Sequence, residues 1–209
     1  MTVIDIENWD RKEHYELFRR ADVPHYHMGA DLDITRFKEH IKRHDLPFTF
    51  AVMHAVTTVL NSIEALCYRI EGEKIVLHNI QHPYFAYKSP DKQYFKMVLA
   101  PYQEDVNAFC AMAQQKAQTQ AEYFVKGDIE GRTDIVFASS VPHVTFTHVS
   151  HTASRDDAVP RVTWGKYYQD YHGRLMMPVN IQVHHAFVDG DHVGRFFTAL
   201  QSLFNATPL

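Results

Sequence analysis

The residues best placed to do chemistry lie near the C-terminal end, in Val183-His184-His185-Ala186-Phe187-Val188-Asp189-Gly190. A neutral imidazole can accept a proton near pH 7, and general-base help of this kind contributes about 10²–10⁴ in rate. An imidazole is useful as a base only when its tautomer and orientation are fixed. Asp189 could fix them directly, as the acid of a triad. It could also act at a distance, by bracing the turn through an ion pair with a remote arginine. The plain alternative is a core histidine followed by an aspartate that only opens the next helix.

The elements around these residues favour one histidine of the pair. Val179, Ile181 and Val183 alternate with Asn180 and Gln182, the period of a half-buried strand. Continued through the histidines, the alternation turns His185 inward with the apolar residues and His184 to the opposite face. After Gly190 the period changes. Val193, Phe196, Phe197, Leu200, Leu203 and Phe204 recur at helical steps. The candidate base therefore sits where a strand hands over to a helix.

The rest of the chain reads as a mixture of helices and strands. Asn8 to Phe18 starts a short helix with Asn8 as its cap, and Pro24 to Leu32 is extended. A helix opens at Asp33-Ile34-Thr35 with Phe37 and Ile41 buried, and Pro47 to Leu60 forms a core helix whose first turn holds the proline. Cys67 to Ile70 and Ile75 to Leu77 make a hairpin about a Gly-containing turn. Pro83 to Tyr87 and Tyr94 to Leu99 are strands, and Pro101 to about Tyr123 is helical. Ile135 to Ser139 and Arg161 to Tyr167 are further strands. Ser150 to Val159 reads as a flexible surface connection. No regular βαβ alternation appears, so the expected class is α+β, with a mixed, mostly antiparallel sheet covered by helices. A chain of 209 residues is expected to form a single domain over 1–209.

Composition narrows the function classes. A formal net charge of -4 and no basic run leave no electrostatic footprint for nucleic acid or an anionic membrane. No apolar run reaches the roughly 18 residues of a membrane span. The N-terminus lacks the regions of a signal peptide, and the two cysteines, Cys67 and Cys110, have apolar neighbours. A cytoplasmic protein is expected. The 15 histidines are scattered, without HExxH or a zinc-type spacing, and no metal is expected.

Several ordered segments go further. His184-His185-Ala186-Phe187-Val188-Asp189-Gly190-Asp191-His192 resembles the active-site signature of the chloramphenicol acetyltransferases of the trimeric, type A class. Asn8-Trp9-Asp10-Arg11-Lys12-Glu13-His14-Tyr15 resembles that family's N-terminal motif. Asp33-Ile34-Thr35, Tyr102 with Asp105, Ser139-Ser140-Val141-Pro142, and Thr163 with Lys166-Tyr167 match its other motifs in order. The resemblance implies the fold of the CoA-dependent acyltransferases and transfer of an acetyl group from acetyl-CoA to the 3-hydroxyl of chloramphenicol, an antibiotic-resistance activity. It implies His185 as general base, Ser139 as donor to the tetrahedral oxyanion, and Thr163 as holder of a water beside it. It pairs Asp189 with Arg11 as structural support, and sets the histidine tautomer by the residue's own backbone carbonyl. Leu17, Phe18 and Tyr26 fall in the acceptor pocket and Tyr167 near CoA. A homotrimer is implied, each site at a subunit interface with the base from one subunit and most of the acceptor pocket from its neighbour. His143, Phe137 and Phe18 depart from the family's usual tryptophan, asparagine and tyrosine, which bears on acceptor identity. Two other readings are a same-fold acyltransferase with another hydroxyl acceptor and a non-catalytic protein that binds a hydrophobic ligand.

Overall fold

The computed structural model describes residues 1–206. Its strands are β1 (Thr2–Val3), β2 (His25–Asp33), β3 (Tyr68–Glu71), β4 (Lys74–Leu77), β5 (His82–Tyr87), β6 (Lys96–Leu99), β7 (Ile135–Val141), β8 (Arg161–Gly165), β9 (Tyr168–Gln169) and β10 (Leu175–His184). Its helices are α1 (Lys12–Arg19), α2 (Thr35–Arg43), α3 (Phe48–Asn61), α4 (Val106–Thr119) and α5 (Gly190–Asn205). The main sheet runs β2-β10-β8-β7-β5-β6, with β9 paired to β10, and β1-β4-β3 form a small second sheet. In the main sheet only the β5–β7 and β7–β8 pairings are parallel. The fold is the expected α+β class with a mostly antiparallel sheet.

One face of the main sheet packs on the helices. Val179, Ile181 and Val183 of β10, Val162 and Trp164 of β8, and Val136 and Ala138 of β7 are buried there. They meet α3, which buries Phe50, Val52, Met53, Val56, Val59 and Leu60, and α5, which buries Val193, Phe196, Leu200 and Phe204. The α5 stripe matches its sequence period. Helix α3 is buried on nearly every side, so its sequence shows a run of apolar residues in place of a stripe.

The opposite face is polar and is also covered. Asn180 and Gln182, on the polar parity of β10, are 0% and 4% exposed. They lie under the segment between β7 and β8, which corrects the expectation of a flexible connection over Ser150 to Val159. Val149 exchanges hydrogen bonds with the Asn180 amide, its N–H donating at 3.3 Å and its carbonyl accepting at 2.8 Å. His151 does the same with Gln182, at 2.6 and 2.9 Å. Further on, His184 Nε2 donates to the Arg155 carbonyl (3.0 Å) and His25 Nε2 to that of Asp157 (2.6 Å). Side-chain amides and imidazoles thus satisfy backbone groups that a neighbouring strand would otherwise pair. Polar loop composition predicts mobility only when such partners are absent, and here β10 supplies them.

This strap lies close to the sheet. A Cβ on Gly29 would sit 2.5 Å from the Thr147 carbonyl oxygen, and one on Gly165 would sit 2.7 Å from that of Val144. Val144 to Thr147 therefore run over the sheet without joining it as a strand. At the N-terminus, Asn8 does not cap α1. It ends a short 3₁₀ turn capped by the Asp5 carboxylate, and Arg11 occupies the cap position of α1. The Arg11 side chain is engaged elsewhere.

Candidate active site

β10 ends at His184, so His185 is the first residue of the turn leading to α5. Its backbone N–H donates to the Pro24 carbonyl at 2.8 Å. Its half-buried ring lies flat on Phe18 of α1, centroids 3.8 Å apart and planes 7° apart, with Tyr26 of β2 4.8 Å away. Phe187 anchors the turn from below. It is 1% exposed and packs among the rings of Trp9, Tyr15 and Tyr68.

Arg11 grips the turn from the other end of the chain. Its Nε donates to the Ala186 carbonyl (2.9 Å), Nη1 to Asp189 Oδ2 (3.0 Å), and Nη2 to the His185 carbonyl (3.4 Å). A planar guanidinium spreads its donors over three nitrogens and so reaches three separated acceptors, whereas an ammonium's three donors all sit on one nitrogen. Asp189 has a second task. Its other oxygen accepts from the N–H groups of Asp191 and His192, and His192 Nδ1 accepts from the Asp189 N–H, completing a capping box at the start of α5. Partial burial alone would raise the Asp189 pKa. The Arg11 hydrogen bond, the His192 N–H and the nearby charges outweigh it and hold the carboxyl below its ordinary value.

His184, the other member of the pair, is 2% exposed with both ring nitrogens engaged. Nε2 donates to Arg155 and Nδ1 accepts from the Ala186 N–H at 3.2 Å. Burial, reinforced by His25 beside it, drives its pKa down to about 4 against the favourable Arg155 bond. It is a neutral structural imidazole. His185 differs: its Nδ1 is buried without a hydrogen-bond partner among the described residues, as is the Tyr26 hydroxyl. Burial, with Asp189 nearby, pushes the Tyr26 hydroxyl up to about 12, so it stays protonated. The His185 carbonyl, which the resemblance makes the partner of Nδ1, instead faces Arg11.

Ser139 and Thr163 lie elsewhere. They are register partners on β7 and β8, on the polar face, in a row continued by Asn180 of β10 and Gly29 of β2. Asn180 is in mid-strand, so this row lies about 16 Å along β10 from His185 at roughly 3.3 Å per residue. A single chain therefore brings His185, Phe18, Tyr26, Arg11 and Asp189 together, and Ser139 with Thr163, as two separate groups. Ser139 borders a cleft of about 790 Å³ whose lining includes Phe48, Phe50, Tyr87, Phe95 and His143. Phe137, the other departure on this strand, packs against Tyr84 and under Arg161. Leu17 is 67% exposed beside the His185 group. Tyr167 stands 5.6 Å from Phe48, ring to ring, with the Lys38 ammonium over both rings at 5.1 and 4.4 Å. The two rings touch each other at a tilt of 58°, and the ammonium caps the pair.

Two residues went unmarked in the sequence. His151 meets Thr163 across the strap, and Lys38 meets Tyr167 across two elements. Neither spacing shows a pattern. The one available signal was the polar parity of Asn180, Gln182 and His184, too regular for a face left to solvent. Among the described residues no group of three or more histidine, cysteine or acidic side chains could hold a metal, and no helix is long and apolar enough to cross a membrane.

Comparison with known proteins identifies the family. The family model for chloramphenicol acetyltransferase matches residues 1–201. A chloramphenicol acetyltransferase of Escherichia coli is 32% identical over 205 residues, covering 96% of this chain and 92% of that one. A solved chloramphenicol acetyltransferase superposes with a TM-score of 0.90 at 25% identity, over 97% of this chain and 99% of the other. The dihydrolipoamide acetyltransferase of Azotobacter vinelandii shares the fold at a TM-score of 0.69 and 17% identity, over 92% of this chain and 85% of that one. The chain belongs to the chloramphenicol acetyltransferase family and is an acyltransferase.

Proposed function

We propose that this protein transfers the acetyl group of acetyl-CoA to the 3-hydroxyl of chloramphenicol, with His185 as the general base. The observation that carries the reading is the His185 turn. One imidazole of the pair is locked neutral into the fold, while the other is stacked on an aromatic ring with its backbone held by Pro24 at one end and Arg11 at the other. In the reaction, His185 Nε2 takes the proton of the attacking hydroxyl as its oxygen bonds to the thioester carbonyl carbon. The tetrahedral oxyanion accepts a hydrogen bond from Ser139. The carbon–sulfur bond then breaks, and the proton passes from the imidazolium to the departing thiolate.

Because Ser139 and Thr163 stand far from His185 within one chain, the complete site needs a second copy. A homotrimer, with His185 of one subunit facing the Ser139 row of the next, supplies it. The orphaned Tyr26 hydroxyl and His185 Nδ1 support the same reading, since buried polar atoms are rarely left without partners. Asp189 and Arg11 serve as the brace of the turn. Phe18, Tyr26 and Leu17 line the acceptor side, and Phe48 with Tyr167 the acetyl-CoA side. Residues 1–209 act as one domain, in the cytoplasm, and the activity gives resistance to chloramphenicol.

The test is thiol release from acetyl-CoA in the presence of chloramphenicol. Turnover by the wild type is expected, with loss of turnover but retained chloramphenicol binding in His185→Ala. No turnover by a folded oligomer would sink the assignment of chloramphenicol as acceptor. Wild-type activity in His185→Ala would remove His185 as the base.

A further inference from the structure

Three consecutive residues of the strap are tied to every element that surrounds His185. The Arg155 carbonyl accepts from His184 Nε2 at 3.0 Å, at the start of the turn. The Arg155 side chain donates through Nε to the Arg19 carbonyl at 3.0 Å, at the end of α1, next to the Phe18 ring that stacks on His185. Asp156 pairs with the Arg19 guanidinium at 3.6 Å. The Asp157 carbonyl accepts from His25 Nε2 at 2.6 Å, one residue from the Pro24 carbonyl that holds the His185 N–H. Arg155 and Asp156 are exposed, so they contribute through these bonds and not through burial.

The tie through His184 comes nearest the base. The peptide joining His185 to Ala186 is held on both sides, its carbonyl by Arg11 Nη2 at 3.4 Å and its N–H by His184 Nδ1 at 3.2 Å. The plane of that peptide fixes the ψ angle of His185. The Pro24 carbonyl holds the peptide before it, so the Cα–Cβ bond carrying the ring is aimed from both sides. A carbonyl only accepts and an N–H only donates, so the His184 proton sits on Nε2 and Nδ1 is bare. The buried ring is thus a rigid link with one end on the strap and the other on the peptide after the base. If the strap carbonyl shifts, the ring follows it or gives up a bond. We infer that His184 is a positioning residue that couples the seating of the Arg155–Asp157 end of the strap to the aim of His185. With His185 as the proposed base, this link governs catalysis. As a feature of the fold it exists whatever the acceptor.

Steady-state kinetics separate such a link from a local cap. His184→Asn keeps an oxygen near the place of Nδ1 to accept from Ala186, but its amide is too short to reach Arg155. It should lower kcat about 10-fold, with KM for chloramphenicol and for acetyl-CoA unchanged, because the base is misaimed while the binding groups stay. A kcat equal to wild type would reduce His184 to a cap on Ala186 and overturn the inference. Arg155→Ala leaves His184 in place and removes an exposed side chain, so it should fold like the wild type. By freeing the strap end from α1 it should lower kcat about 3- to 10-fold. Arg155→Lys, whose ammonium can take over the bond to the Arg19 carbonyl, should recover the loss. An unchanged kcat in Arg155→Ala, or a loss that Arg155→Lys leaves in place, would overturn the inference. Amide hydrogen exchange of the intact protein follows the link without any substrate. The Ala186 N–H should exchange about 3- to 10-fold faster in Arg155→Ala than in the wild type, the worth of one hydrogen bond. Unchanged exchange there would overturn the inference. Faster exchange, in a protein that does not turn over chloramphenicol, would refute the acceptor and leave the link standing.

Discussion

Replacing Arg11 with lysine separates the brace from the charge. The guanidinium makes contacts of 2.9 Å to Ala186, 3.0 Å to Asp189 and 3.4 Å to His185. A lysine ammonium can keep the Asp189 pair, which contributes little in itself, since the aspartate side chain is 39% exposed. It cannot also reach the two carbonyls. Losing the Ala186 bond and the weaker His185 bond should cost about 1–2 kcal/mol. For a chain of this size that lowers Tm by roughly 3–6 °C. The activity should fall further than the stability implies, because the lost bonds flank the base. A turn that can shift by a fraction of an ångström costs about 10- to 100-fold in kcat. Thermal unfolding and thiol-release kinetics on the same preparations measure both. A kcat equal to wild type, with Tm lowered, would refute the claim that Arg11 orients His185 and reduce the clamp to a structural tie. Asp189→Asn keeps an oxygen to cap α5 and should cost less than about tenfold in kcat. A loss as complete as in His185→Ala would revive Asp189 as a triad acid.

Ser139→Ala should lower kcat about 10²–10³-fold with little change in stability, as expected for a lost oxyanion donor; an unchanged kcat would remove Ser139 from the reaction. Gly29→Ala places a methyl group 2.5 Å from the Thr147 carbonyl, so the strap must lift. It should lose about 1–3 kcal/mol, measured by denaturant unfolding, and an unchanged stability would contradict the close approach of the strap. The His184 pKa is lower folded, about 4, than unfolded, about 6.5. Its contribution is present above pH 6.5 and is lost as pH falls toward 4, up to about 3 kcal/mol. In urea unfolding between pH 7 and 4.5, His184→Gln should flatten the pH dependence by as much as about 1.4 kcal/mol per pH unit, and an unchanged slope would contradict the buried neutral ring.

Local signals carried much of this structure. The alternation along β10 put His184 on the polar face, where it lies, but it made His185 the inward histidine, whereas His184 is the more deeply buried of the two and the strand stops one residue short of His185. The α5 stripe and the β3–β4 hairpin, with Gly72 at φ 63° in its turn, were equally legible because each rests on neighbours in sequence. The strap was not. Its composition is that of a loop, and what orders it lies 31 residues away in Asn180 and Gln182. The start of α1 was misread locally for the same reason, with Asn8 taken as its cap, while the Arg11 contact was implied only by the family resemblance. A position near Asn8 looked like a helix start to be capped, whereas the arginine spends its donors on the turn at the far end of the chain. The separation of Ser139 from His185 has no sequence signal at all, because it depends on strand order.

The strap is moored through its backbone, by amides on β10 that bind the N–H and carbonyl of Val149 and His151. Moorings of that kind do not read side-chain identity. Most positions between β7 and β8 can therefore drift without unseating the segment, as long as Asn180, Gln182 and the two glycines beneath it persist. The strap is in effect an exchangeable cassette. A lineage could rewrite this stretch while the turn that holds the base descends unaltered.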